Sequence, residues 1–149
     1  MTPGENPRID SLLVADHAEA VNGKLYVMGG GFDTVFAPQF PMAVRFSFAA
    51  LLKVPWNDTN RRLPIKGWVA RADDDEDLGW KLEGELEAGR APGNRGQDAQ
   101  IMVAGPIGFE VSEPTEIVFN MTFANDHRAI PLRVAPIAPG VMPSPPPES

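Results

Sequence analysis

The Asn22-Gly23 dipeptide constrains the fold of this chain more than any other feature of its sequence. Both residue types tolerate a positive φ, which a two-residue type I′ turn between antiparallel strands requires. The alternation on either side of this turn gathers apolar residues on one face of a ladder, so turn chemistry and patterning agree. The sequence therefore predicts a β-hairpin within residues 12–36. Its predicted pairs are Val21 with Lys24, Ala20 with Leu25, Glu19 with Tyr26, and Ala18 with Val27.

Two longer stretches show the alternation of apolar and polar residues that marks a strand with one buried face. The stretch 42–54 is apolar at every even position and is followed by Pro55, which cannot donate a ladder hydrogen bond. The stretch 99–111 alternates in the same way but contains Gly105-Pro106. At that dipeptide we predict a bulge or a change of sheet.

A second hairpin is predicted where segments 62–72 and 79–88 flank an acidic run at 73–78. If Ala72 faces Gly79, Lys66 lies opposite Glu85 and forms a favourable cross-strand pair.

A third hairpin joins segments 116–124 and 129–135. Facing Ala124 with Ala129 makes apolar pairs, among them Phe119 with Val134. Pro131 is then expected to place the last strand at a sheet edge, or to have its nitrogen on the unpaired side.

Eight or nine short strands separated by Pro- and Gly-rich turns predict a single antiparallel β-sandwich, with an immunoglobulin-like or a jelly-roll topology. No stretch has sustained helical periodicity, and 149 residues suffice for one domain with its own core. We expect a flexible leader at 1–9, the sandwich at 10–136 and a Pro-rich disordered tail at 137–149.

The formal net charge is −7, and the chain contains no cysteine. An acidic surface repels phosphate groups, so nucleic acid and anionic membrane surfaces are not expected as partners. Disulfides, thiolate metal sites and cysteine nucleophiles are excluded. The polar N-terminal residues do not resemble a signal peptide, and we expect a cytoplasmic location.

The acidic run and the two histidines are the candidate metal sites in this sequence. Residues 73–77 place carboxylates at alternate positions as a calcium loop does, but Leu78 stands where that loop needs glycine. A solvated turn is the preferred interpretation, with a weak cation site left open. His17 and His127 show no ligand spacing, so no metal and no cofactor are expected.

The three tryptophans suggest a carbohydrate platform, but their predicted positions do not support one. In the predicted register Trp80 joins the core face while Trp68 points to the other side. A small-ligand or carbohydrate site that uses a loop end or the Trp68 face remains the alternative function.

The leading prediction is a non-enzymatic interaction module that binds a protein partner or assembles with copies of itself. An exposed antiparallel face should be polar at alternate positions, and exposed apolar patches commonly mark interfaces. Here the faces opposite the core carry apolar residues, which we predict as the interaction face: Trp68, Ala70, Met102, Ala104 and Val118.

Two segments resemble an uncharacterised family of small bacterial proteins. They are ADHAEAVNGKLYVMGGGFDTVF and EIVFNMTFANDHRAIPLRVAP, which begin at Ala15 and Glu116. The resemblance extends from about Leu12 to Pro136 and is carried by strand and turn residues. It implies an all-β bacterial cytoplasmic protein and assigns neither an activity nor functional residues.

Overall fold

The computed structural model describes residues 6–90 and 96–137, which form an all-β sandwich of two packed sheets. The predicted fold class is confirmed, with nine strands in these two ranges and one turn of 3-10 helix at Trp56–Asp58. The strands are β1 (Arg8–Val21), β2 (Lys24–Gly30), β3 (Thr34–Ala37), β4 (Met42–Val54), β5 (Arg62–Arg71), β6 (Asp77–Glu87), β7 (Ala99–Val111), β8 (Thr115–Phe123) and β9 (Asp126–Pro136).

Most of the predicted leader and tail lies outside the described residues, at 1–5 and 138–149, as do residues 91–95 between β6 and β7. The first strand already begins at Arg8, two residues before the expected start of the sandwich.

The strand order is β2-β1-β4-β7 in a four-stranded sheet and β3-β9-β8-β5-β6 in a five-stranded sheet. Neighbouring strands are antiparallel except β3 and β9, which run parallel. Consecutive strands form hairpins at β1–β2, β5–β6 and β8–β9, and every other connection crosses between the sheets. No helix in the described ranges has the length and apolarity needed to cross a membrane.

The main core lies between the sheets and is built from alternate residues of the strands. The side chain of Phe119 in β8 is fully buried, and its ring centroid lies 5.8 Å from that of Phe48 and 5.9 Å from that of Trp80. Phe48 belongs to β4, whereas Trp80 belongs to β6. These three rings therefore join the two sheets.

The β1–β2 hairpin has the predicted register. All four predicted pairs are present, and φ is 51° at Asn22 and 72° at Gly23. The first part of β1 pairs with β4 as far as Ala15, and the part from Ala15 onward pairs with β2.

The hairpin then packs on the outer face of the four-stranded sheet. Ala18 of β1 and Ala49 of β4 belong to a small buried cluster separate from the main core, and Leu25 of β2 and Ala104 of β7 pack against it. Because the hairpin covers this face, Ala49 is buried although it points away from the main core.

The β5–β6 hairpin forms, but the predicted register is wrong. Lys66 pairs with Glu83, two residues from the predicted partner, and its Nζ lies 3.7 Å from Glu83 Oε1. The turn closes early because the N–H of Arg71 donates to the carbonyl of Glu76, so β6 begins at Asp77. A bulge around Gly79, where φ is 96°, then moves the pairing back toward the predicted register. The remaining difference is two residues.

The predicted register of β8 and β9 is wrong by four residues, because Phe119 pairs with Ile130. The chain turns through Ala124 and Asn125, and Ala124 has a φ of 53°, which is uncommon for a residue with a Cβ. The last strand is not an edge strand, since β3 pairs with it from Arg133 onward.

The predicted interruption of the seventh strand is also wrong. Strand β7 pairs with β4 without a break, and Pro106 lies opposite Ser47. Since β7 is at the edge of its sheet, a residue without an N–H is tolerated when that position faces the unpaired side.

The glycine triplet Gly29-Gly30-Gly31, at the end of β2, provides a close backbone approach. Gly29 has a φ of 65°, and a Cβ at this position would overlap the carboxylate of Asp16. We expect Gly29→Ala to lower the free energy of unfolding by about 1–2 kcal/mol, because the left-handed conformation is costly for alanine.

Urea denaturation measures this loss, and Gly84→Ala in β6 is the matched control. A Cβ on Gly84 meets no atom within 4 Å, so this variant should be close to neutral. Equal stability of the two variants would show that the backbone at Gly29 imposes no strain on alanine.

Candidate functional site

The outer face of the five-stranded sheet carries a stacked pair of rings. The indole of Trp68 and the imidazole of His127 are nearly parallel, at 6°, with centroids 5.9 Å apart. His127 Nε2 lies 3.0 Å from Oδ1 of Asn120, a buried residue that is the cross-strand partner of Trp68. The Nδ2 of Asn120 donates to the carbonyl of Val118, so its Oδ1 accepts and the histidine nitrogen donates.

A shallow depression of about 330 Å³ lies on the other side of Trp68. Two ion pairs border it: Lys66 with Glu83 at 3.7 Å, and Lys81 with Asp77 at 3.3 Å. An apolar ring flanked by charged donors and acceptors has the chemistry of a small polar-ligand site.

The five residues of the predicted interaction face lie on opposite sides of the sandwich. Trp68, Ala70 and Val118 are on the outer face of the five-stranded sheet, and Ala70 is buried. Met102 and Ala104 are on the outer face of the four-stranded sheet. Ala104 packs against the β1–β2 hairpin, which therefore covers part of that surface within the same chain.

The outward face of the hairpin is a second candidate surface, which we call the hairpin face. Three of its side chains are large, apolar and exposed: Val21, Tyr26 and Met28, with 42, 52 and 66% of their area accessible. His17, Glu19 and Lys24 complete it, and His17 Nε2 lies 3.0 Å from Glu19 Oε1.

The hairpin face was not predicted from the sequence. The predicted register already places Tyr26 beside Glu19, but Glu19 and Lys24 make that side of the hairpin resemble a polar surface. An alternation count along β2 would have found it, because Tyr26 and Met28 occupy consecutive positions on one face.

The sequence contains no comparable pattern that would have predicted the contact of Trp68 with His127. This contact depends on the register of β8 with β9, in which His127 lies opposite Thr122. The predicted register placed this histidine in a turn. The other two tryptophans lie apart from Trp68: Trp80 packs on Phe119, and Trp56 carries the guanidinium of Arg90 4.3 Å from its ring centroid.

The acidic run forms a hydrogen-bonded turn. Arg71 Nε lies 3.5 Å from Asp73 and 3.6 Å from Asp74, while the Asp77 carboxylate accepts the N–H of Gly79 at 2.7 Å. Within residues 6–90 and 96–137 no three His, Asp or Glu side chains are grouped as metal ligands. His17 and His127 lie on opposite outer faces.

These contacts lower the pKa of two carboxyl groups. The pKa of Asp73 falls because the Arg71 guanidinium lies beside it, and the pKa of Asp77 falls chiefly because the N–H of Gly79 donates to it. A carboxyl whose folded pKa lies below its unfolded value stabilises the fold above the unfolded pKa. This contribution is lost as the pH falls through the folded pKa.

We therefore expect both groups to titrate below the ordinary aspartate range when NMR follows their carboxyl carbons. In Arg71→Ala the pKa of Asp73 should rise while that of Asp77 stays low, since its main donor is a backbone N–H. If both pKa values rose together, the turn itself would depend on Arg71.

Comparison with known proteins identifies one relationship. Residues 10–135 match the model of DUF6941, a family of unknown function. No curated protein matches the chain significantly, nor does any solved structure. The match covers both segments that suggested an uncharacterised family, except for Pro136. The chain belongs to DUF6941.

Proposed function

We propose that this protein is a non-enzymatic β-sandwich module that assembles with copies of itself through the hairpin face. One observation carries the proposal: of the five large apolar side chains that are exposed in the described part of the chain, four are on the β1–β2 hairpin. Val21, Tyr26 and Met28 are on the hairpin face and Val27 is on the other face of the hairpin; the fifth, Phe36, is on β3.

The energetics of burial support this use of the face. Covering one large apolar side chain contributes roughly 1.5–3 kcal/mol, and an exposed cluster of such groups commonly marks an interface. Tyrosine and methionine are also enriched in the centres of protein interfaces. On the hairpin face Tyr26 and Met28 are neighbours along one strand, so a partner can cover both together.

Sedimentation velocity over a roughly hundredfold range of protein concentration tests the proposal, since mass action makes association concentration-dependent. The wild type should increase in mass with concentration, and Tyr26→Ser with Met28→Ser should remain monomeric. Phe36→Ser is the matched control, because this side chain is 54% exposed but lies outside the hairpin. A monomeric wild type, or a double variant that associates like the wild type, overturns the proposal.

A cytoplasmic location in a bacterium is part of the same proposal. The absence of cysteine supports it, because small exported domains commonly depend on disulfides. Fractionation of a bacterial host that carries the gene would test the location.

The Trp68 face favours a second candidate function, binding of a carbohydrate. A sugar ring can stack on an indole while its hydroxyl groups bond to flanking charges, here Lys66, Glu83 and Lys81 around the depression. The stack with His127 holds the indole in a defined orientation.

Tryptophan fluorescence during titration with oligosaccharides tests this candidate. Binding should be lost in Trp68→Ala and retained in Trp56→Ala, because Trp56 lies apart from the depression. If no oligosaccharide in a broad glycan array binds the wild type, the candidate is wrong.

A further inference from the structure

The four edge strands of the described sheets differ in their protection against pairing with another chain. Edge strands are usually kept short, charged or interrupted by proline. Strand β3 has four residues and is followed by Pro38, and β7 contains Pro106. Strand β6 carries four acids.

Strand β2 is the least protected of the four, because its one charged residue is Lys24, which lies next to the turn. Its seven residues, KLYVMGG, include no proline and no acid, although the chain has a net charge of −7. All of them are exposed except Leu25, which is half-buried, and β1 is the only strand that pairs with β2 in the described ranges. The second edge of β2 is therefore open.

The hairpin register shows which main-chain groups this open edge presents. Val21 and Lys24 flank the two-residue turn and form a hydrogen-bonded pair, and such pairs alternate with non-bonded pairs along the ladder. The N–H and C=O groups of Lys24, Tyr26 and Met28 therefore point to β1. Those of Leu25 and Val27 point to the open edge.

We propose that β2 pairs antiparallel with β2 of a second copy, with Tyr26 opposite Tyr26 across a two-fold axis. This inference rests on the proposed function and names the geometry of its interface. Leu25 of each copy faces Val27 of the other, and these two pairs form about four main-chain hydrogen bonds. The four-stranded sheets of the two copies become continuous.

Charge and backbone conformation favour a second copy in this register. Lys24 lies opposite Met28, so no like charges face each other across the strands, whereas two β6 edges would bring acids together. Centring the pairing on Val27 would require Gly29 to pair, but its φ of 65° departs from an extended strand. The hairpin faces of both copies also form one surface, in which the two Tyr26 rings are adjacent.

The matched variants Val27→Pro and Val27→Ala test the main-chain pairing. Proline at this position removes a donor on the open edge but none toward β1, so the hairpin is retained while dimerisation should weaken by at least about tenfold. Alanine keeps the donor and should dimerise nearly as well as the wild type. Far-UV circular dichroism checks that both variants are folded.

Cysteine cross-linking tests the register, because the chain has no cysteine of its own. In the proposed pairing the two Tyr26 Cα atoms are about 4.5 Å apart, within disulfide range. The two Met28 Cα atoms are offset by roughly 13 Å. Tyr26→Cys should therefore form a disulfide dimer under mild oxidation by diamide, and Met28→Cys should not.

The outcomes separate the two proposals. If the serine variants abolish association but Val27→Pro does not, or if Met28→Cys cross-links more readily than Tyr26→Cys, the hairpin face stands as the interface and edge pairing is wrong. If the wild type is monomeric, both proposals fail. Cross-linking of Tyr26→Cys together with loss of association in Val27→Pro supports the paired strands.

Discussion

Replacing Phe119 with alanine is expected to lower the free energy of unfolding by about 3–5 kcal/mol, the usual cost of truncating a buried aromatic side chain. Phe119 is fully buried, and its ring contacts Phe48 from the other sheet and Trp80 from its own. The truncation therefore leaves a cavity at the contact between the sheets. For a domain of this size the melting temperature should fall by roughly 10–20 °C.

Urea denaturation measures this effect, with Phe36→Ala as the control. Phe36 is 54% exposed on β3, so its truncation should change stability by less than about 1 kcal/mol. A loss below about 1 kcal/mol in Phe119→Ala would show that the two sheets are held by other contacts.

The second large effect is expected at the start of β1, which is tied to the β8–β9 hairpin across the two sheets. The carboxylate of Asp126 accepts the N–H of Ile9 at 2.8 Å, and Arg128 donates to the carbonyl of Ile9 at 3.1 Å. Ile9 is buried and lies at an irregularity in the β1–β4 pairing. Asp126→Ala leaves a buried N–H without an acceptor, which should cost about 1–3 kcal/mol.

Asp126→Asn is the matched variant, because its side chain keeps an oxygen that accepts the same hydrogen bond. It should lose less than half as much stability as Asp126→Ala. Hydrogen exchange of the Ile9 amide provides a local measurement, with faster exchange expected only in the alanine variant. Similar exchange in all three proteins would show that the carboxylate does not protect this amide.

Much of the fold was predicted correctly because apolar and polar residues alternate along a β-strand that has one buried face. The limits of β4 and β7 match the predicted stretches 42–54 and 99–111. The sandwich followed from the number and spacing of such stretches. Of the candidate surfaces, the prediction that Trp68 lies outside the core is confirmed, while its contact with His127 required the register of distant strands.

Register was predictable only where the turn residues define the turn. Asn22-Gly23 accepts two positive φ values at little cost, so the first hairpin has one favoured alignment. In the third hairpin the residue with the positive φ is Ala124, and this backbone conformation is unfavourable for alanine. Its N–H donates to the carbonyl of Pro64 on a neighbouring strand, so contacts beyond the hairpin determine the turn.

By itself the sequence determined that this chain forms strands, where most of them lie, and how the first hairpin aligns. These features depend on alternation and turn chemistry, which act between residues close in the chain. Only the tertiary structure decided that the hairpin packs on the outer face of the four-stranded sheet, where Leu25 and Ala104 pack against the same small cluster. Apolar burial has no directional preference, so an apolar strand face does not specify which surface covers it.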